Sequence, residues 1–138
     1  MGNKAKIEPG VGAAGFYLNQ IYTSNLGRRK KLSKSSNEEL VLLENVRLWL
    51  DNGRISQICL IKNYTGTLEN QIGIGSKLSD LKDKYGEVIE DEEDNLILQN
   101  YPGVCFETEM WEGTPGNEKC SDNLDKKITE IYVYPISK

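Results

Sequence analysis

Two stretches far apart in the chain, "RISQICLI" at 54–61 and "KITEIYVY" at 127–134, follow one pattern residue by residue. Each runs basic, Ile, small hydroxyl, polar, Ile, and then an apolar tail. Two further pairs match in the same order. "ELVLLENVRLWLD" (39–51) aligns with "NLILQNYPGVCFETE" (95–109) as a short strand, a turn and an alternating strand. "GFYLNQI" (15–21) aligns with "GSKLSDL" (75–81), placing Gly15 on Gly75, Leu18 on Leu78 and Ile21 on Leu81. Three matches in one order predict a duplicated unit.

The second copy shows what the unit contains. In "GIGSKLSDLKDKYGEV", Leu78, Leu81 and Tyr85 fall at i, i+3 and i+7, an apolar helical stripe. Ser76 stands where an N-cap is wanted, and Gly86 follows where a left-handed residue closes a helix. Lys82 and Lys84 sit in the last turn, where the helix dipole favours cations. In the first copy, Asp51-Asn52-Gly53 marks a hairpin, because Asn-Gly tolerates the positive φ of a tight turn. The expected architecture is α+β: a tandem repeat of a helix plus a three-stranded antiparallel unit, over approximately 7–62 and 72–134. The units share one antiparallel sheet with helices packed on one face, in a single domain over 1–138.

"PGVGAAGFYLNQI" carries G-x-G-x-x-G at Gly10, Gly12 and Gly15. A dinucleotide loop needs a buried strand before it, a helix after it and an acid about 20 residues on. Here barely four strand-like residues precede it, and "GRRKKLSK", basic and loop-like, lies where the acid belongs. The glycines read as a turn, and no cofactor is expected.

The 138 residues include no histidine, which excludes a Ser-His-Asp triad, a His-based metal site and an imidazole proton shuttle. Cys59, Cys105 and Cys120 are odd in number and lack C-x-x-C spacing, against both a disulfide scaffold and a zinc site. Carboxylate chemistry survives these exclusions. No apolar run approaches the ~20 residues that cross a bilayer. "MGNKAKIEPG" lacks the apolar core of a signal peptide, so a cytoplasmic chain is expected.

Two charged runs of opposite sign stand out, "RRKKLSK" (28–34) and "EVIEDEED" (87–94). Both read first as solvated connections at equivalent places in the two units. A nucleic-acid role for the basic run fits poorly with a net charge of −4. The acidic run has a sharper alternative, since a dense negative patch steers a basic partner. It does not match an EF-hand, which needs a central Gly and a Glu at position 12. Among the aromatics, Trp49 is out of phase with Val46, Leu48 and Leu50 and should face away from them. Tyr132 and Tyr134 share one face of the last strand, with Ile131 and Val133 on the other. Trp111 opens the polar stretch 112–126, read as a loop.

The pattern of turn, "GSKLSDLKDKYG" and three strands resembles the repeats of β-lactamase inhibitor proteins and the unit of small outer-membrane-assembly lipoproteins. It is also similar to immunity proteins of bacterial toxin–immunity systems, including contact-dependent growth inhibition. The residues carrying the resemblance (Gly75, Leu78, Leu81, Tyr85, Gly86, Ile128, Ile131) are architectural. A lipoprotein would need an export signal and a lipidated cysteine near the start, and the inhibitors are disulfide-bonded. The immunity proteins therefore depart least from this sequence. That resemblance implies a non-catalytic protein that neutralises a cognate toxin, a basic nuclease domain, by occluding its active site or substrate groove. The expected contacts are an acidic rim (Glu90, Asp91, Glu92, Glu93 and Asp94) with aromatic anchors at Trp111, Trp49 and Tyr101. No metal, nucleic acid, membrane or small-molecule partner is expected. The alternatives are a small hydrolase using paired carboxylates and a structural or assembly module without a toxin partner.

Overall fold

Ile55, Ile58, Ile128 and Ile131 are all buried. A strictly alternating strand would send residues three apart to opposite faces. The computed structural model, which describes residues 6–24, 27–35, 37–69, 71–91, 95–109 and 124–136, resolves the conflict with two β-bulges. The strands concerned are β5 (Val46–Asp51), β6 (Arg54–Leu60), β9 (Val104–Thr108) and β10 (Ile128–Val133). Trp49 pairs with Gln57 but Leu50 with Ile55, leaving Ser56 as an extra residue. Glu107 pairs with Glu130 but Thr108 with Ile128, leaving Thr129 extra. An extra residue resets the alternation, so both isoleucines of each strand reach the core. The two bulges are tied alike. Ser56 Oγ donates to the Trp49 carbonyl (3.1 Å) and Thr129 Oγ1 to that of Glu107 (3.3 Å). The hydroxyl shared by the two sequence patterns is a bulge clasp.

The remaining elements are β1 (Gly12–Ala13), β2 (Phe16–Tyr17), β3 (Arg28–Lys31), β4 (Glu38–Leu42), α1 (Leu78–Tyr85), β7 (Val88–Glu90) and β8 (Leu96–Leu98). Eight strands form one antiparallel sheet in the order β3-β4-β5-β6-β10-β9-β8-β7, while β1 and β2 make a separate pair. This mostly β architecture corrects the expected tandem of helix-plus-three-strand units. Among the described residues there is one helix, and each side of the sheet centre is a four-stranded meander. Parts of the basic and acidic runs, expected as connections, are strands instead. Arg28–Lys31 and Val88–Glu90 are the two edge strands.

Backbone geometry explains why "GFYLNQI" does not form a helix. Ala14 (φ 58°), Gly15 (φ 83°) and Asn19 (φ 68°) are left-handed, which interrupts a helix within two turns. Ala14 and Gly15 instead form the two-residue turn between β1 and β2, where Gly12 pairs with Tyr17 and Ala13 with Phe16. A Cβ on Gly12 would collide with the Phe16 carbonyl oxygen. Gly12 and Gly15 of the G-x-G-x-x-G pattern thus serve a tight hairpin, while Gly10 donates its N–H to the Gly103 carbonyl (3.1 Å).

In the other half the apolar spacing does produce a helix. Leu78, Leu81 and Tyr85 are its buried stripe, and Gly86 closes it at φ 85°. Its N-cap is Lys77, one residue past the expected Ser76, whose Oγ accepts the Gly73 N–H instead (3.0 Å). Two N–H groups of the first turn find partners outside the helix: Leu78 donates to the Lys126 carbonyl (2.9 Å) and Ser79 to that of Leu124 (3.0 Å).

One face of the sheet, carrying Val41, Leu48, Leu50, Ile58, Leu60, Leu96, Val104, Phe106, Ile131 and Val133, forms the core with α1. Tyr64, Leu68, Ile72 and the β1–β2 hairpin complete it, and the Tyr64 hydroxyl accepts the Ala14 N–H (3.0 Å). No described helix is long and apolar enough to cross a membrane.

Candidate functional site

The alternation that fills the core delivers a second set of side chains to the outer face of the sheet. Cross-strand register brings Arg47 beside Cys59, Trp49 beside Gln57, Cys59 and Cys105 beside Tyr132, and Glu107 beside Glu130. Trp49, Tyr132, Glu107 and Glu130 are half-buried, as this face requires if it is partly accessible. A shallow cavity of about 310 Å³ opens at Tyr132 and Glu107, lined also by Gln57, Asn95, Cys105 and Tyr134. A larger hollow of about 800 Å³ lies by the β5–β6 turn. Its lining includes the cross-strand neighbours Asp51 and Arg54, and the Arg54 guanidinium donates to the Asn19 carbonyl (3.0 Å).

The outer-face cavity is built around one phenol and two carboxyls. Tyr132 Oη lies 2.9 Å from Glu107 Oε2 and 2.5 Å from Glu130 Oε1, and the carboxyls also hydrogen-bond each other. The two carboxyls converge on one phenol, and their surroundings push them apart in acidity. The hydrogen bond to Glu130 raises the Glu107 pKa above its ordinary range, with burial adding to it. Glu130 is held below its ordinary range, first by the Glu107 hydrogen bond, then by the Tyr132 bond and the attraction of Arg47. Tyr132 is raised by burial and by its bond to Glu130, so it stays a phenol and donates to the Glu130 carboxylate. Of the two carboxyls, Glu107 is the weaker acid and Glu130 the stronger.

The neighbouring groups are kept unreactive. Burial, with Glu130 nearby, pushes the Cys59 thiol up to about 12, far from a thiolate at neutral pH. The rings of Trp49 and Tyr132 pack tilted, centroids 6.4 Å apart.

Of the residues singled out from sequence, Trp49 belongs to this face, pointing away from Val46, Leu48 and Leu50 as its phase requires. Tyr101 does not. It stacks edge-on against Tyr85 of α1 (4.8 Å) on the covered side. Glu90 and Asp91 lie at the β7 edge, five strands from β5 and so roughly 24 Å away. Asp91 closes the β7–β8 turn by accepting the Asn95 N–H (2.9 Å). Glu92, Glu93, Asp94 and Trp111 lie outside the described residues. Sequence reasoning missed Glu107 and Glu130. Their signal was in the text: each is the acid on the non-core phase of a matched alternating strand.

No family model matches the chain, and no curated protein matches it. Among solved structures it is similar to the uncharacterized protein yfeY from Escherichia coli, at 18% identity and TM-score 0.63. The match covers 95% of this chain and 99% of that one. At that identity the likeness shows a shared fold and says nothing of function.

Proposed function

We propose that the protein is a non-catalytic binding module whose docking surface is the outer face of the sheet, and that its partner is a basic protein. The observation that carries this reading is the Trp49–Tyr132 ring pair beside the Glu107–Glu130 carboxyls, with Tyr132 and Glu107 lining a shallow cavity. Half-exposed Trp and Tyr supply contact area at low entropic cost, the property of interface anchors. A guanidinium or ammonium arriving at the carboxyls would favour the charged form of both Glu107 and Glu130. A toxin domain with a cationic substrate groove is the partner class that the immunity-protein resemblance implies.

Hydrolysis is the weaker reading for a geometric reason. Paired-carboxylate hydrolases separate their carboxyls by roughly 5–9.5 Å to admit a substrate or water. Here they hydrogen-bond each other and a phenol, so no reacting atom fits between.

Co-expression with the protein encoded immediately upstream tests the proposal. A stable complex is expected, weakened about thirtyfold by Trp49→Ala, the loss typical of an interface anchor. Absence of a complex, or unchanged affinity of a folded Trp49→Ala variant, would sink it.

A further inference from the structure

β3 stands first in the sheet order, and β4 is the one described strand that pairs with it. The four residues of β3 are cations, and residues 27–35 around them are all exposed. We propose that the β3 edge takes up an extended acidic segment of another protein as an added strand of the sheet.

Hydrogen-bond parity fixes which backbone groups point away from the sheet. Leu32 donates its N–H to the Glu38 carbonyl, which makes 32/38, 30/40 and 28/42 the hydrogen-bonded pairs of the β3–β4 hairpin. The next strand agrees. Leu43 donates to the Val46 carbonyl, so Leu43, Val41 and Glu39 turn toward β5, and Leu40 and Leu42 are left for β3. Arg29 and Lys31 consequently aim N–H and C=O outward, and no described residue bonds to these groups. An edge strand with outward N–H and C=O groups is what an extended peptide pairs with when it joins a sheet.

Side-chain charge then selects the partner. Arg29 and Lys31 stand on the core side, opposite Val41 and Glu39. Both are already drawn to Glu39, Arg29 through two hydrogen bonds (2.8 and 2.9 Å) and Lys31 through charge attraction. Arg28 and Lys30 project from the other side, where the residues across from them are Leu42 and Leu40. An incoming strand therefore needs acids on the phase that meets Arg28 and Lys30, and neutral β-branched side chains on the phase that meets Arg29 and Lys31. A basic strand is repelled, and a second copy's β3 would set cations against cations. A nucleic acid fits less well, because phosphates only accept hydrogen bonds and leave the outward carbonyls unmet, and because the net charge is −4. Trp49 lies two strands in from this edge, so the site stands apart from the docking proposed above.

The test titrates the whole chain with a blocked peptide of about eight residues that alternates Glu and Val, roughly 27 Å of strand. Amide hydrogen exchange reads the backbone. Exchange at Arg29 and Lys31 should slow about tenfold or more on binding, while Arg28 and Lys30, bonded inward, should not change. A Lys-Val peptide should not bind, and the Glu-Val peptide N-methylated at alternate residues should bind at least tenfold more weakly. R28E/K30E, which spares the Arg29–Glu39 pair, should exchange the preference and take the Lys-Val peptide. Trp49→Ala should leave Glu-Val binding unchanged. If R28E/K30E fails to fold, the exchange pattern of the wild type and the N-methylated peptide decide. No binding of the Glu-Val peptide overturns the proposal, as does binding without slowed exchange at Arg29 and Lys31. Equal affinity for the N-methylated peptide or for a single-stranded oligonucleotide of the same charge overturns it too, and so does loss of binding in Trp49→Ala.

Discussion

The two four-stranded meanders of the sheet use one strand plan and two different covers. β3–β6 and β7–β10 meet at the β6–β10 pair, and both contain a bulge clasped by Ser56 or Thr129. Above β7–β10 the apolar face is closed by α1. On the other side the β1–β2 hairpin touches β6, and Ala13, Ala14 and Tyr22 are buried with Tyr64. The contrast teaches that an apolar sheet face specifies only that something must cover it. Local backbone chemistry decides whether that cover is a helix or a knot of turns.

The contrast predicts unequal sensitivity. Leu81→Ala empties a fully buried position in the helical cover and is expected to cost about 2–5 kcal/mol, read from urea midpoints. Gly12→Ala drives a methyl into the Phe16 carbonyl and forces the hairpin apart. Because the hairpin is short, the expected loss is smaller, about 1–3 kcal/mol. Should Gly12→Ala prove the costlier of the two, the hairpin would be the principal cover and the ranking of the halves would invert.

Tyr64→Phe sharpens the same comparison at one buried hydroxyl. It leaves the ring in place and removes the acceptor of the Ala14 N–H, a buried group in a left-handed turn. The expected loss is about 1 kcal/mol, the low end for an orphaned buried donor. A neutral result would mean the turn holds by its φ angles alone.

What the sequence disclosed follows the same division. The strand matches, the Asn52-Gly53 turn, the outward phase of Trp49 and the stripe of α1 were legible because alternation and helical spacing are local rules. The first half's cover was not. The Leu18 and Ile21 spacing imitates a helix, and only the φ angles of Ala14 and Asn19, neither of them glycine, reveal otherwise. Parts of the charged runs were misassigned because exposed edge strands lack the apolar alternation by which a strand is recognised. The carboxyl pair required register: Glu107 and Glu130 lie 23 residues apart in sequence and become neighbours only through the pairing of β9 with β10.

That register supplies the finest comparison. Trp49 and Gln57 stand before the first bulge as Glu107 and Glu130 stand before the second, so one half places a neutral pair where the other places two acids. Only the second should titrate. Glu107 is raised in the fold, so its stabilising contribution is complete below its ordinary value of 4.5 and is lost as pH climbs through the raised one. Glu130 is lowered, and its contribution is present above 4.5 and fades as pH falls through the depressed value. Glu107→Gln keeps a neutral donor toward Glu130 at every pH. Wild type and variant should therefore unfold alike below about pH 4.5, with the variant gaining ground above it until the raised value is passed and the difference levels off. Because the pair is half-exposed, this is the smallest of the effects, a divergence of two melting-temperature curves. Curves that stay parallel from pH 3 to pH 8 would mean that the fold does not push the two acidities apart, and that the outer face carries two ordinary carboxylates.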